Sequence, residues 1–172
     1  MNAHTLMRLG RKYDYIFCQA DEAPEALAPL LRVIDCLRRL RRVRLGLVGY
    51  RVPGFYTSTF DELGLRRLLG VEVHHVTTAE LFDTARAIEP GPRQAEAEAI
   101  RRAAGGCDAT EAELDQAGGL MLAFRQIAAK ERLAGFAVKC WPEFTPHYGI
   151  MPCSTISRLN DEGLLTACEG DI

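Results

Sequence analysis

The chain has 172 residues, of which 48% are apolar and 26% charged, and its formal net charge is −2. This length and composition predict one globular domain that buries a core without needing disulfides or metals as staples. The small net charge argues against general binding to nucleic acid or to an anionic membrane surface, and no segment reaches the roughly 20 apolar residues of a membrane span.

The first half of the chain predicts strands at 12–19, 44–50 and 71–76, and helices at 22–43 and 60–70. The 22–43 helix is indicated by a stripe of leucine and isoleucine from Leu27 to Leu37 at i, i+3, i+4 and i+7 spacing. Glycine bounds the 44–50 strand, and Gly70 ends the second helix. Between these two elements, the Pro53-Gly54 pair predicts a loop.

The second half predicts helices at 78–88, 95–104, 110–133 and 153–160, and strands at 135–140 and 164–171. Two capping boxes support the helix starts, one formed by Thr77 and Glu80 and the other by Thr110 and Glu113. The proline-containing segments 89–94 and 141–152 are predicted to be irregular.

Strands that alternate with helices predict an α/β fold. We expect a single domain over 1–172, with three layers: a mostly parallel sheet and helices on both faces, Rossmann-like or flavodoxin-like. Ligands bind such folds at the carboxyl ends of the strands. This rule selects three loops, GYRVPGF (49–55), CWPEF (140–144) and CEGD (168–171).

These loops carry the candidate functional side chains. Glu143 and His147 follow one strand, and Glu169 and Asp171 end another. Carboxylate oxygens suit hard divalent cations, and Mn²⁺ also accepts imidazole. The alternative is that these acids are ordinary solvated loop residues. Arg51, in the loop after the 44–50 strand, either binds a polar ligand or is solvated.

Other patterns in the sequence predict structure more readily than function. The six cysteines contain no Cys-x-x-Cys pair, which predicts a reduced, cytoplasmic protein, and the N-terminal residues do not resemble a signal peptide. Cys140, Cys153 and Cys168 match no zinc spacing, and a catalytic cysteine paired with His147 has no local signature. The glycines around Gly49 match neither a dinucleotide fingerprint nor a Walker loop.

Two further clusters also favour a structural interpretation. The arginines between Arg38 and Arg44 lack interleaved aromatic residues, which indicates a solvated helix end and no nucleic-acid site. His74 and His75 are adjacent in a predicted strand, so they point to opposite faces and cannot share one metal.

The segments 43–81 and 136–172 together resemble the L-fucose isomerase and L-arabinose isomerase superfamily, more closely its fucose-isomerase-like branch. The resemblance rests on the glycine-rich strand and loop around Gly49 and on five later blocks. These blocks are Gly70-Val71, Cys140-Trp141, Pro152-Cys153, Asn160-Asp161-Glu162-Gly163 and Cys168-Glu169-Gly170-Asp171.

The resemblance implies an intramolecular oxidoreductase that interconverts aldoses and ketoses through an ene-diol. It implies Mn²⁺, or another divalent cation, bound by Glu143 and Asp171, which would also serve as the catalytic residues. Arg51, Trp141 and His147 are the candidates for binding the sugar. A homo-oligomer without nucleic-acid or membrane partners is expected.

Members of that superfamily are longer than this chain. On this resemblance, residues 141–172 carry the site and lead toward a missing C-terminal domain that supplies a further histidine ligand. The isolated chain is therefore expected to be a nearly inactive fragment, because metal affinity follows the number of ligands. The alternative from another functional class is a non-catalytic sugar- or nucleotide-binding α/β module, since one fold hosts many functions.

Overall fold

The computed structural model describes residues 2–19 and 21–172. The helices are α1 (Asn2–Arg8), α2 (Ala23–Leu40), α3 (Glu62–Leu69), α4 (Thr78–Ala87), α5 (Pro90–Ala103), α6 (Glu111–Glu131), α7 (Phe144–Tyr148) and α8 (Cys153–Asp161). The strands are β1 (Arg44–Val48), β2 (Glu72–Val76), β3 (Gly135–Val138) and β4 (Leu165–Cys168). None of the helices within the described ranges is long and apolar enough to cross a membrane.

The chain divides into two compact units, one that ends at Arg39 and one from Leu40 to Ile172. The first unit contains α1, which the sequence did not predict, and nearly all of α2. The apolar stripe of α2 is exposed, with Leu31 at 59% and Ile34 at 55%. The strand predicted at 12–19 is wrong, because these residues form no regular structure. A strand requires a paired neighbour, whatever its apolar content.

The second unit is built on a four-stranded parallel sheet in the order β2-β1-β3-β4. This confirms the predicted α/β fold, and the order is that of flavodoxin-like sheets. In register, Gly46 of β1 lies between His74 of β2 and Phe136 of β3. The strands are short, and every residue of β3 is buried.

Helices cover both faces of the sheet. On one face, a continuous apolar core joins Val48 and Val138 to side chains of α4, α6, α7 and α8, including Phe82, Phe124 and Phe144. On the other face, α3 packs near β2, where Glu62 pairs with His75 at 2.8 Å. His74 instead pairs with Glu131 at the end of α6, at 3.7 Å. The two histidines therefore face opposite sides, as the alternation predicted.

The helix starts illustrate what local sequence determines. Thr110 and Glu113 form the predicted capping box, and the Thr77 side chain accepts a hydrogen bond from the Glu80 amide at 3.0 Å. The predicted break at 89–94 is wrong, since α5 begins at Pro90. Proline is compatible with the first turn of a helix, where its missing N–H has no partner to lose. Within the segment predicted as irregular, 144–148 forms the short α7.

The helical layer is tied together by charged side chains as well as by the core. Glu96 of α5 binds Arg125 of α6 at 2.6 Å and Arg158 of α8 at 3.2 Å. Arg125 also binds Glu162, which follows α8, at 2.5 Å. Burial opposes the charged form of Glu96, but the hydrogen bonds and charges of the two arginines outweigh it and lower the pKa of this carboxyl. The network fixes three helices against one another.

Candidate functional site

The strand order predicts a crevice at the carboxyl ends of β1 and β3. The chain leaves β1 for β2 on one side and later returns to place β3 on the other side of β1. In open parallel sheets, such a reversal separates the loops that follow the two strands and leaves room for a ligand between them. The residues that begin these loops are Gly49 after β1 and Lys139 after β3.

Gly49 lets the two loops begin in close contact. Its φ of +76° is a left-handed conformation that favours glycine. A Cβ at this position would lie 2.9 Å from the Cβ of Lys139 and 3.4 Å from the methyl group of Thr78 in α4. The backbone ladder also continues here, because the Gly49 amide donates to Val76 at 2.8 Å and the Lys139 amide to Val48 at 2.9 Å. The ends of β1, β2 and β3 are thus fixed together.

An ion pair lies at this crevice. The Lys139 ammonium lies 2.5 Å from Oε1 of Glu143, and the two side chains are only 15% and 27% exposed. The other carboxylate oxygen of Glu143, Oε2, is buried without a hydrogen-bond partner in the described part of the chain. A buried, ionised oxygen without a partner is costly, which makes this atom a ready acceptor for a ligand.

Sequence reasoning selected Glu143 but missed Lys139. The available signal was a lysine directly after a wholly apolar strand and four residues before the selected glutamate. This i, i+4 spacing led to an ion pair although the two residues are not on one helix. Lysine at a strand end is usually solvated, so the spacing alone did not single it out.

Arg51 lies in the loop that follows β1. Its guanidinium stacks over the ring of Tyr56, 4.6 Å from the centroid, and donates to Oγ1 of Thr59 at 3.2 Å. Both contacts leave part of the guanidinium free, and no carboxylate in the described ranges forms an ion pair with it. Arg51 lines a small cavity of about 20 Å³ together with Ser58 and Gly170. The β1 loop and the CEGD turn therefore meet, as the strand-end rule predicted.

The CEGD turn continues the sheet and then bends sharply. The Gly170 amide donates to the Val138 carbonyl at 3.0 Å, which extends the β3–β4 ladder by one bond. Glu169 has a φ of +60° and Gly170 a φ of +79°. A left-handed glutamate is strained, and such strain is often found at ligand sites. A Cβ on Gly170 would lie 2.9 Å from the Tyr50 carbonyl oxygen, so the turn packs directly on the β1 loop.

Asp171 lies beyond this turn on a different surface from Glu143. It is exposed and lines an apolar cavity of about 300 Å³ with Leu45, Ala137 and Ile172. No hydrogen bond or ion pair within the described residues joins Asp171 to Glu143. These residues also contain no group of three or more His, Cys, Asp or Glu that could hold a metal ion. The chain thus offers separate carboxylate oxygens, of which Oε2 of Glu143 is free and inward-facing.

The other two predicted substrate-binding residues lie at the surface. Trp141 is 53% exposed and joins Pro142 through a cis peptide bond. His147, in α7, is exposed, and its carbonyl oxygen accepts a hydrogen bond from Arg86. The structure places both residues on the same loop as Glu143 but shows no direct contact between them and that carboxylate. Their role in binding stays a prediction.

Two thiols also meet at the strand ends. The sulfur atoms of Cys140, the second residue after β3, and Cys168, the last residue of β4, are 3.1 Å apart. Burial, and then the hydrogen bond with Cys140, raises the pKa of the Cys168 thiol to about 12. Cys168 is therefore a neutral thiol near pH 7.

This chain aligns over nearly its whole length with several known proteins that share one name. It is 31% identical over 175 residues to a protein named sulfoquinovose isomerase from Alkalicoccus urumqiensis, covering 99% of this chain and 39% of that protein. It is 28% identical over 162 residues to one of the same name from Priestia aryabhattai, covering 93% and 36%. A third, from a Clostridium species, is 25% identical over 174 residues and covers 99% and 39%.

No protein-family model matches the chain. The assignment to the L-fucose and L-arabinose isomerase superfamily is thus not confirmed and stays a prediction. The chain spans less than two fifths of the length of these three relatives. Over nearly its whole length, however, it is homologous to proteins named sulfoquinovose isomerase.

Proposed function

We propose that this chain is part of an aldose–ketose isomerase that acts on a free sugar of the sulfoquinovose type. The observation that carries the proposal is the Lys139–Glu143 pair in the strand-end crevice, with one buried carboxylate oxygen left without a partner. The similarity of nearly the whole chain to three proteins named sulfoquinovose isomerase supports the same reaction class.

The proposed chemistry is a proton transfer between neighbouring sugar carbons. Oε2 of Glu143 takes the proton from C2 of the open-chain aldose, while the C1 carbonyl oxygen takes a proton from water and an ene-diol forms. The same carboxyl returns its proton to C1 as the C2 hydroxyl gives its proton back to water and becomes the ketone. The neighbouring ammonium of Lys139 keeps Glu143 oriented and offsets negative charge that develops on the sugar oxygens.

We also propose that a divalent cation takes part in this reaction. Glu143 and Asp171 are the proposed ligands of Mn²⁺ or another divalent ion, which suits carboxylate donors. Since Asp171 lines a separate cavity, the CEGD turn would have to move for both carboxylates to reach one ion. When bound, such an ion supplies Lewis-acid polarisation of the sugar oxygens. Because Lys139 occupies Oε1, Oε2 of Glu143 cannot bind the ion and accept the C2 proton at the same time, so the two are alternative roles for this atom.

Arg51 is the proposed contact for the charged end of the sugar. Sulfoquinovose carries a sulfonate at C6, and a guanidinium binds such oxyanions through paired N–H donors. Arg51 is held by Tyr56 and Thr59, so little side-chain freedom would be lost on binding. The cavity beside Arg51 holds only about 20 Å³, so the sulfonate would bind outside it, on the solvent side of the guanidinium.

The test is sugar binding followed at individual backbone amides. In NMR titrations of the ¹⁵N-labelled chain with sulfoquinovose, the largest shifts are expected at Gly49, Lys139 and Gly170. Glu143→Gln should reduce the amide shifts at a given sugar concentration, because it removes a charged acceptor oxygen from the site. Glu80→Gln, an exposed carboxylate on α4, is the matched control. Shifts confined to other surfaces, or no shifts at all, would overturn the proposal.

A further inference from the structure

The Cys140–Cys168 pair is the strongest feature that the proposed isomerase chemistry leaves unused. The two residues are 28 positions apart in sequence, yet their sulfur atoms lie 3.1 Å from each other. Cys140 is 4% exposed, whereas Cys168 belongs to the exposed residues. One thiol is therefore sheltered and the other is open to small reagents.

The geometry is close to that of a disulfide. An S–S bond is about 2.05 Å long, so the sulfur atoms would have to approach by about 1 Å. Val138 is the register partner of Cys168 on the neighbouring strand, and Cys140 follows two residues later. In an extended chain this offset adds about 6.6 Å along the strand to the spacing of about 4.8 Å across it, and disulfides span Cα separations of about 4.4–6.8 Å. The side chains already bring the sulfur atoms to 3.1 Å, and closure requires the backbone at the two strand ends to shift.

We propose that Cys140 and Cys168 form a reversible dithiol–disulfide pair that links the loop after β3 to the CEGD turn. The oxidant is a hydroperoxide or a low-molecular-weight disulfide, and the reductant is a small thiol. This modification does not depend on the isomerase function proposed above, because it follows from the two sulfur positions alone.

The reaction with hydrogen peroxide balances as follows. The exposed Cys168 sulfur attacks one peroxide oxygen, and the O–O bond breaks to give a sulfenic acid and water. The Cys140 sulfur then attacks the Cys168 sulfur, and the sulfenic oxygen leaves as a second water with the remaining thiol proton. Two thiols are oxidised by two electrons and one peroxide is reduced. The neighbouring thiol competes with further oxidation of the sulfenic acid because it is already in contact.

The link would constrain the candidate site. Cys140 is three residues before Glu143, and Cys168 is three residues before Asp171. A bond between them fixes the first residues of both loops relative to each other. The high pKa of Cys168, about 12, slows attack on the oxidant at neutral pH. The pair should therefore remain reduced at low oxidant levels and respond only to sustained oxidation.

The test uses the chain with Cys18, Cys36, Cys107 and Cys153 replaced by serine, because all four are exposed and could form competing links. Trypsin cuts after Lys139 and Arg158, so the two remaining thiols fall on separate peptides. After peroxide treatment, we expect the two peptides to be joined, with the mass of two hydrogen atoms lost, and to separate again with dithiothreitol. The oxidised form should melt roughly 5–10 °C higher than the reduced form.

A control variant shows whether a new link between peptides depends on Cys168. Cys168→Ser in the same background should give no joined peptide and no rise in melting temperature on oxidation. If the serine background fails to fold, the unmodified chain and its Cys140→Ser and Cys168→Ser variants are oxidised, and fragmentation of each joined peptide distinguishes Cys140 from Cys153, which share the tryptic peptide 140–158. Joined peptides from other cysteine pairs only, or a sulfinic acid on Cys168 with Cys140 still a free thiol, would overturn the proposal.

Discussion

The ammonium of Lys139 lies 2.5 Å from one carboxylate oxygen of Glu143, while the second oxygen of that carboxylate is buried and has no partner in the described residues. An ion pair that is mostly removed from water stabilises the fold only while both charges are present. The same pair leaves one carboxylate oxygen without a partner close to the end of β3. On the function proposed above, these two side chains would have both a structural and a chemical role.

The first prediction concerns the stability of this pair. Lys139→Met should lower the free energy of unfolding by about 1–3 kcal/mol, because it leaves the Glu143 carboxylate partly buried without its counter-charge. The Lys139→Met/Glu143→Gln double variant should lose less than the sum of the two single variants. Urea denaturation of the four proteins measures this coupling. Strict additivity would show that the pair contributes nothing.

The second prediction compares two glycines. Gly49→Ala should destabilise the chain by about 2 kcal/mol or more, because the methyl group strains a left-handed backbone and also overlaps Lys139. Gly54 is the matched control, since its φ is +86° but nothing lies within 4 Å of its would-be Cβ. Gly54→Ala should therefore lose only about 1 kcal/mol. Equal losses in thermal unfolding would remove the close contact as a cause.

The third prediction tests Arg51 as the anion contact. Arg51→Ala should weaken sulfoquinovose binding about tenfold and leave binding of the same sugar without its sulfonate unchanged. Isothermal titration with the two sugars separates the charged contact from contacts with the ring. Arg67→Ala, an exposed arginine on α3, serves as the control. A similar loss for both sugars would assign Arg51 a structural role.

The fourth prediction addresses the divalent cation. Mn²⁺ should bind weakly to the chain, and Glu143→Gln and Asp171→Asn should each reduce the affinity several-fold, since each removes a charged oxygen donor. The proton relaxation rate of water in the presence of Mn²⁺ reports binding directly, without any assay of activity. Glu80→Gln should leave the titration unchanged. If neither site variant alters it, these two carboxylates are not the ligands.

The fifth prediction concerns pH. Burial raises the pKa of Tyr148 to about 12, and its hydroxyl donates to the Gln116 carbonyl at 2.9 Å. Because the folded state favours the neutral phenol, this stabilisation is complete below pH about 10, the ordinary tyrosine pKa, and is lost as pH rises toward 12. Tyr148→Phe should be about 1 kcal/mol less stable near pH 7, with a shallower decline above pH 10. Denaturant midpoints measured against pH give both quantities.

The sequence predicted the fold because local signals and the sheet pattern agreed. Short apolar runs separated by amphipathic helices produced the parallel strands, and the Thr110–Glu113 box marked the start of α6. The prediction failed where the local sequence pattern was compatible with more than one structure. The 12–19 run has strand-like residues but no pairing partner, and Pro90 starts a helix where proline suggested a break.

The candidate site was predicted at the level of loops and less well at the level of residues. The strand-end rule identified the three loops that meet around Gly49 and Gly170. It could not identify the Lys139–Glu143 pair, because side-chain pairing depends on how the backbone turns after β3. Nor could it place Asp171, whose direction depends on the left-handed bend at Glu169 and Gly170.

The backbone hydrogen bonds that continue beyond the ends of the strands have a consequence for engineering. Gly49 and Lys139 are held by main-chain hydrogen bonds to Val76 and Val48, so the base of the crevice does not depend on the side chains of segment 51–60. Apart from Val52, which is fully buried, that segment should be exchangeable without displacing the Lys139–Glu143 pair. On the function proposed above, substrate choice and proton transfer would then depend on separate parts of the chain.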